Sequence, residues 1–141
     1  MGKRASAKEI DERDTARMIE DAHKERQKLT GKTEFEFEIG VIAASEKVLD
    51  QMEPTKKLLL ERNKMPGGSF SNFMWDSFAR HCVCDWGDIS QEDRKANNRA
   101  LKTGGQLFST YKHTEYPTIC ILTEDDRSQT GIGLESEFDL A

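Results

Sequence analysis

The side chains that could carry out chemistry gather in two stretches of the chain, residues 80–93 and residues 124–126. Both stretches are rich in carboxylic acids, and converging carboxylates can hold Mg²⁺ or act as a general acid and base. One hypothesis is therefore a small metal-dependent hydrolase or nuclease. Its ligands would be Asp85, Asp88, Glu92 and Asp126, with His81 as the base.

A zinc site is a second possibility, built from His81, Cys82, Cys84 and Cys120. The spacing does not match the Cys-x₂₋₄-Cys pairs of common zinc sites. In a helix, Cys82 and Cys84 would also point about 200° apart. We expect buried structural thiols instead, because free cysteine packs as a small hydrophobic residue. No nucleophile signature and no phosphate-binding glycine motif is present, so we expect no metal, no cofactor and no catalytic residue.

The motif Asp85-Trp86-Gly87-Asp88 is typical of a structural corner. The large indole would fill part of the core, and the glycine permits a tight turn with positive φ. The two aspartates can accept hydrogen bonds from nearby backbone amides. Arg127 stands beside Asp125 and Asp126, and we expect these charges to pin the final hairpin in the same manner.

Length and charge narrow the function classes. The chain has 141 residues, which is the length of one domain. Residues 1–32 contain nine Lys and Arg against seven Asp and Glu, whereas residues 33–141 contain twelve against nineteen. An acidic domain is a poor non-specific nucleic-acid ligand and favours basic protein partners. No apolar run approaches the roughly 18 residues of a membrane span, and no export signal begins the chain, so we expect a cytoplasmic protein with reduced thiols.

The N-terminal part, residues 1–32, is predicted to be a charged helical arm attached to a compact domain over residues 33–141. Its helix is expected over residues 6–30, from a capping box at Ser6 to a stop at Gly31. The apolar stripe is thin and includes Met18 and Ile19. Two interpretations are open: the helix is solvated, or its apolar stripe docks on a partner or on a second copy of the chain.

A half-buried strand is predicted over residues 33–43, where apolar and acidic residues alternate. Its acidic face would consist of Glu34, Glu36 and Glu38, and three like charges on one face suggest a sheet edge or a basic partner. After a helix capped by Ser45, a segment over residues 55–63 is also predicted to be helical. The spacing of aromatic residues from Phe70 to Phe78 predicts another helix, whose Phe70 and Phe73 are candidate contacts for a partner.

The last third predicts a helix from Ser90 to Thr103 and then three strands. The strands are expected over residues 106–113, 116–123 and 131–138, with a tight link at residues 113–115. The order of elements predicts an α+β fold, with an antiparallel sheet of about four strands and helices on one face.

A longer pattern combines Arg80-His81, Asp85-Trp86-Gly87-Asp88, Leu107-Phe108-Ser109-Thr110-Tyr111 and Thr123-Glu124-Asp125-Asp126-Arg127-Ser128. In this pattern the chain resembles a family of small proteins from plasmids, integrative elements and prophages, often labelled "plasmid-related protein". The resemblance covers about residues 38–130 and implies a bacterial mobile-element setting without a settled activity. Residues 64–77 resemble an insertion relative to that family, and the helix at 6–30 is additional.

These observations favour a non-enzymatic acidic interaction protein of a mobile element or phage. Its partner would be a host protein or nucleoprotein complex with a basic surface, such as a CRISPR or restriction assembly that it inhibits. No direct contact with nucleic acid and no membrane contact is expected. The metal-dependent hydrolase is one alternative, and a structural protein that self-associates through residues 6–30 is another.

Overall fold

The computed structural model describes residues 8–10, 12–31, 34–51 and 70–138. The fold is α+β, as predicted. Helices are α1 (Glu12–Thr30), α2 (residues 46–51), α3 (Phe70–Cys82) and α4 (Gln91–Thr103). Strands are β1 (Lys8–Glu9), β2 (Val41–Ala44), β3 (Leu107–Tyr111), β4 (Ile119–Thr123) and β5 (Gln129–Leu134). The helix predicted at residues 55–63 lies outside the described residues.

The sheet has the order β1-β2-β5-β4-β3, in which β1 adds only two residues at one edge. The pairs β3–β4 and β4–β5 are antiparallel, as expected, but β2 and β5 run parallel, so the sheet is mixed. A parallel pair requires a long crossover connection, and here the helices α2, α3 and α4 and the strands β3 and β4 lie between β2 and β5 in the chain.

Alternating side chains of β4 divide the core between the two faces of the sheet. Ile119 and Ile121 belong to the large cluster that also contains the apolar side of α3. Cys120 and Leu122 point to the other face and pack in a smaller cluster with Phe108 and Phe138. The aromatic spacing of α3 therefore reports core packing, since Met74 and Phe78 are fully buried.

The N-terminal helix differs from its prediction at one end. It begins at Glu12, and Lys8 and Glu9 pair with β2 as a strand, so the predicted start at residue 6 is wrong. Its end is as predicted, because Gly31 has φ +74 and donates its N–H to the carbonyl of Gln27. Met18 and Ala22 are buried in the large cluster beside α3, so the described part of α1 shares the core of residues 34–51 and 70–138.

Residues 34–40 do not form the predicted strand, which occupies only Val41–Ala44. The expected alternation of burial still holds, with Phe37 and Ile39 buried and the three glutamates exposed. Gly40 has φ +70, and a Cβ at this position would lie 2.4 Å from the backbone of Ser128. The chain therefore turns at Gly40 before it enters the sheet, and residues 34–39 cross the helices instead of pairing with a strand.

The C-terminal meander has the predicted strands with shorter bounds. The link between β3 and β4 covers residues 112–118 and is longer than the predicted tight turn. The last strand ends at Leu134, and residues 135–137 form a 3-10 turn. The helix caps are confirmed: Ser45 accepts the N–H of Val48, and Ser90 accepts the N–H of Asp93.

Truncation of one α1 side chain tests whether this helix belongs to the cooperative core. Met18→Ala is expected to lower the free energy of unfolding by about 2–5 kcal/mol, because it leaves a cavity beside α3. Leu29→Ala on the same helix is the control, since Leu29 is 61% exposed and its loss should change stability by less than about 0.5 kcal/mol. Equal effects of both variants in denaturant titrations would place α1 outside the cooperative unit.

Candidate functional site

A chain of buried polar side chains crosses the face of the sheet beneath α3. The His81 ring is fully buried, with Nδ1 at 2.6 Å from Ser109 Oγ and Nε2 at 2.9 Å from Thr123 Oγ1. Thr123 Oγ1 lies 2.8 Å from Thr130 Oγ1, and the Thr130 hydroxyl donates to the carbonyl of Ile39 at 2.7 Å. The network therefore joins α3, all three strands of the meander and the segment before β2.

The direction of every hydrogen bond follows from the number of protons available. Thr130 has one hydroxyl proton and gives it to the Ile39 carbonyl, so the proton between the two threonines comes from Thr123. Thr123 can then only accept from His81, which makes Nε2 the protonated ring nitrogen. Nδ1 is left as the acceptor of the Ser109 hydroxyl. With the ring kept neutral by burial, this pattern of donors and acceptors assigns the Nε2–H tautomer to His81.

This environment makes His81 unsuitable as a general base, because a substrate cannot reach the buried ring. Burial lowers the pKa of its imidazole to about 3, and the positive charge of Arg127 acts in the same direction. Ser109 next to it is also fully buried. A serine beside a histidine can act as a nucleophile, but here both groups are enclosed and both ring nitrogens are occupied by side chains of the core. The hydrogen bonds of His81 and Ser109 instead hold α3 in place over the strands of the sheet.

The protonation of His81 gives a direct test of this network. Between pH about 3 and 6.5 the unfolded chain binds a proton that the folded chain does not, so stability falls as the pH decreases through this window. The expected contribution is about 1.4 kcal/mol per pH unit. Imidazole ¹⁵N NMR should show a neutral Nε2–H ring for His81 down to pH 4. A charged ring at pH 5, or an Nδ1–H tautomer, would contradict the assignment.

The Asp85–Asp88 motif is a corner in which each acid has a defined partner. Arg80 donates from Nε and Nη2 to the two carboxylate oxygens of Asp85, at 2.8 and 3.2 Å. This ion pair lowers the pKa of Asp85 and raises that of Arg80. The backbone carbonyl of Asp85 accepts the Tyr111 hydroxyl, and Trp86 is buried. Gly87 has φ +71, and a Cβ there would meet the Thr110 carbonyl at 2.1 Å.

The same corner seals the edge strand β3. Thr110 donates to the carbonyl of Trp86 and accepts from the N–H of Asp88, while Asp88 Oδ2 accepts the N–H of Lys112. Two residues earlier in β3, the side-chain amide of Asn97 donates to the carbonyl of Phe108 at 2.7 Å and accepts the N–H of Phe108 at 3.0 Å. Outward-facing backbone groups of β3 thus have partners, which protects the edge from pairing with another chain.

Substitution of Asn97 separates this role from ordinary surface effects. Asn97→Ala should lower the free energy of unfolding by about 2–4 kcal/mol, because it removes two buried hydrogen bonds to the backbone of Phe108. Asn98→Ala is the neighbouring control, since Asn98 is exposed and accepts only a 3.4 Å bond from Trp86 Nε1. Its expected cost is under about 1 kcal/mol. Similar denaturation midpoints for the two variants would refute the edge-sealing role.

Arg127 pins the final hairpin, but not through the neighbouring carboxylates as predicted. Its guanidinium donates to the backbone carbonyls of Gly105, Glu124 and Ala100, at 2.5, 3.1 and 3.0 Å. It therefore ties the turn between β4 and β5 to the end of α4. Asp126 instead accepts the N–H and the hydroxyl of Ser128, and these bonds lower the pKa of its carboxyl.

The four proposed metal ligands are not brought together. Asp85 binds Arg80, Asp88 accepts the backbone N–H of Lys112 just after β3, and Asp126 closes its own turn. Glu92 is exposed in the first turn of α4. Within residues 8–10, 12–31, 34–51 and 70–138, no group of three or more His, Cys, Asp or Glu side chains is placed to hold a metal ion.

The zinc set is likewise divided among different surroundings. Cys120 faces the side of the sheet opposite His81, and Cys82, the last residue of α3, is buried in the large cluster. Burial raises the pKa of the Cys84 thiol to about 11, with a further contribution from the Glu36 carboxylate. All three cysteines are free thiols. A protonated, partly buried thiol is a weak nucleophile and a weak metal ligand.

The predicted partner-binding residues fall into two groups. Met18 and Phe70, which were expected to contact a partner, are buried inside the molecule and are not available for such a contact. Ile19 and Phe73 are half-buried against the core. Phe73 stacks with Tyr116 across the β3–β4 link. Apolar spacing located these residues correctly on helix faces, but it could not show that the faces meet each other.

The predicted acidic face is exposed and firmly held. Arg26 is buried, and it donates to the Glu34 carbonyl at 2.9 Å and to Glu36 Oε1 at 2.5 Å. The Phe35 ring stacks on His23 at 4.3 Å, while the Ile39 carbonyl is fixed by Thr130. The carboxylates of Glu34 and Glu38 point to solvent on a segment that is anchored at both ends.

A cleft between α1 and α3, lined by charges of both signs, was not expected from the sequence. Its volume is about 240 Å³, and its lining includes the carboxylates of Asp21, Glu25 and Asp76, the side chains of Lys24 and Lys28, and the Trp75 ring. Burial raises the pKa of Asp76, and the carboxylates of Glu25 and Asp21 add to this shift. Because these residues come from separate helices whose packing was not predicted, no local motif indicated the cleft.

Comparison of the chain with protein-family models, curated proteins and solved structures gave no match. Within the described residues, no helix is long and apolar enough to cross a membrane. Function is therefore inferred from the chain's own geometry.

Proposed function

We propose that this protein is a non-enzymatic interaction protein that binds a basic surface of a host protein or nucleoprotein complex. The observation that carries the proposal is the exposed acidic segment of residues 34–38, which α1 and the sheet hold in one conformation. A pre-ordered charged surface binds with a smaller entropy cost than a mobile one.

The carboxylates and the histidine that a catalytic site would need already make structural hydrogen bonds, which supports a binding function over a catalytic one. The hydrolase hypothesis requires free carboxylates and an accessible base, but Asp85, Asp88 and Asp126 accept structural hydrogen bonds. His81 is enclosed by side chains of three strands and the segment before β2. Self-association remains an alternative, although Met18, one of the apolar side chains expected at its seam, already packs inside the molecule.

The biological setting of this proposal is the cytoplasm of a bacterial host. It rests on the resemblance of the Asp85–Asp88 and Thr123–Ser128 motifs to mobile-element proteins. A plasmid or phage protein of this kind would act by inhibiting a host defence complex, such as a CRISPR or restriction assembly. Assemblies that handle nucleic acid carry basic grooves, which are electrostatically complementary to exposed carboxylates.

A pull-down with two matched variants tests the proposal. The tagged full-length chain is expected to retain a stoichiometric nucleoprotein complex from bacterial lysate at 50 mM salt and to lose most of it at 500 mM. Glu34→Gln with Glu38→Gln should reduce the retained complex several-fold while leaving the Arg26–Glu36 pair intact.

The control variant, Glu115→Gln with Asp125→Asn, removes the same charge from other exposed positions and should bind like the wild type. Mass spectrometry of the eluates identifies the retained complex. An empty bait, or equal losses from both double variants, would reject the acidic segment as the binding surface.

A further inference from the structure

We propose that the outer face of α4 binds the sugar–phosphate backbone of a nucleic acid. This inference goes beyond the proposed function and does not depend on it, and for α4 it departs from the expectation, drawn from net charge, of no direct contact with nucleic acid. It stands on three cations, Lys95, Arg99 and Lys102, which are all exposed on the same helix. In the part of the chain that the structure describes, none of the three takes part in an ion pair or a hydrogen bond of its side chain.

The three cations occupy one narrow stripe. At 3.6 residues per turn they fall within an arc of about 60°, and they span about 10 Å along the helix axis. Asn97 and Ala100, the two buried residues of α4, lie on the opposite side. The stripe therefore points directly away from the sheet.

The rest of the exposed face suits the same ligand. Gln91 and Asn98 are exposed beside the stripe, and amide side chains commonly bond phosphate and sugar oxygens. Glu92 borders the stripe at its N-terminal end and weakens the positive field there. The contact is thus expected to lie toward the C-terminal half of α4, around Arg99 and Lys102.

α4 is held rigidly although it contributes little to the core. Its inner side is attached by polar bonds: Asn97 to Phe108, Arg94 to the Gly87 carbonyl, and Arg127 to the Ala100 carbonyl. This arrangement leaves most of the helix circumference in solvent. The stripe can therefore lie along the phosphates of one strand without a steric conflict with the rest of the domain.

Charge complementarity favours a nucleic acid as the ligand of the cation stripe on α4. Phosphates are the densest anions that a row of cations can meet, and a duplex carries one charge per about 1.7 Å of its axis. The net charge of −5 over the whole chain opposes this binding at long range, so a weak, salt-sensitive interaction is expected. In a nucleoprotein partner, α4 would contact the nucleic acid while residues 34–38 contact the protein.

Fluorescence anisotropy with a labelled 20-base-pair DNA duplex tests the proposal, with duplex RNA and single-stranded DNA as parallel probes. Three phosphate contacts predict a slope of about −2.7 for log K against log salt on duplex DNA, or about a 40-fold loss of affinity between 50 and 200 mM. Lys95→Gln, Arg99→Gln and Lys102→Gln combined should weaken binding at 50 mM at least tenfold.

The matched control combines Lys24→Gln, Lys28→Gln and Lys47→Gln, which removes the same charge from exposed positions outside α4. It should bind like the wild type, and both triple variants should keep the wild-type melting temperature. Absence of binding to all three probes would overturn the proposal, as would equal weakening by the two variants. Loss of a self-associated form in the α4 variant, without any change in nucleic-acid binding, would also overturn it and assign the stripe to a second copy of the chain.

Discussion

The hydrogen-bond chain from Ser109 through His81, Thr123 and Thr130 to the Ile39 carbonyl is the constraint on which the rest of the structure depends. A buried polar group without a partner is costly, so this network is satisfied only when all of its elements are in register. One imidazole thereby fixes the position of α3 over the meander. The same chain also locates the segment that precedes β2.

The acidic segment inherits its order from this network. Phe37 packs edge-on against the His81 ring, and Gly40 passes closely over the backbone of Ser128. At the other end, Arg26 holds residues 34 and 36 from α1. The charged surface is therefore a product of the core, and changes far from the surface are expected to disorder it.

Local signals predicted the parts of the fold that depend on neighbouring residues. The caps at Ser45 and Ser90, the stop at Gly31 and the apolar spacing of α3 all act within a few positions along the chain, and each was predicted. The parallel pairing of β2 with β5 could not be predicted, because it joins segments about 90 residues apart. The partners of Arg127 were missed for the same reason: adjacent aspartates are visible in a sequence, whereas distant backbone carbonyls are not.

In the candidate site too, the sequence predicted local features but not those that depend on distant contacts. The glutamate alternation correctly marked exposed positions, although a turn at Gly40 replaced the expected strand. The tautomer of His81 and the outward stripe on α4 emerge only once burial is known, since Lys95, Arg99 and Lys102 look like any solvated helix face in the sequence.

The parallel partnership of β2 and β5 has a consequence for synthesis on the ribosome. Val41 pairs with Gln129, so β2 leaves the ribosome long before its parallel neighbour β5 exists. At about 5–20 residues per second, this wait lasts roughly 4–18 s. During that interval Phe37, Ile39 and Ile42 have no sheet to cover them. The parallel pair, and the burial that it gives these side chains, can form only after the last strand has emerged.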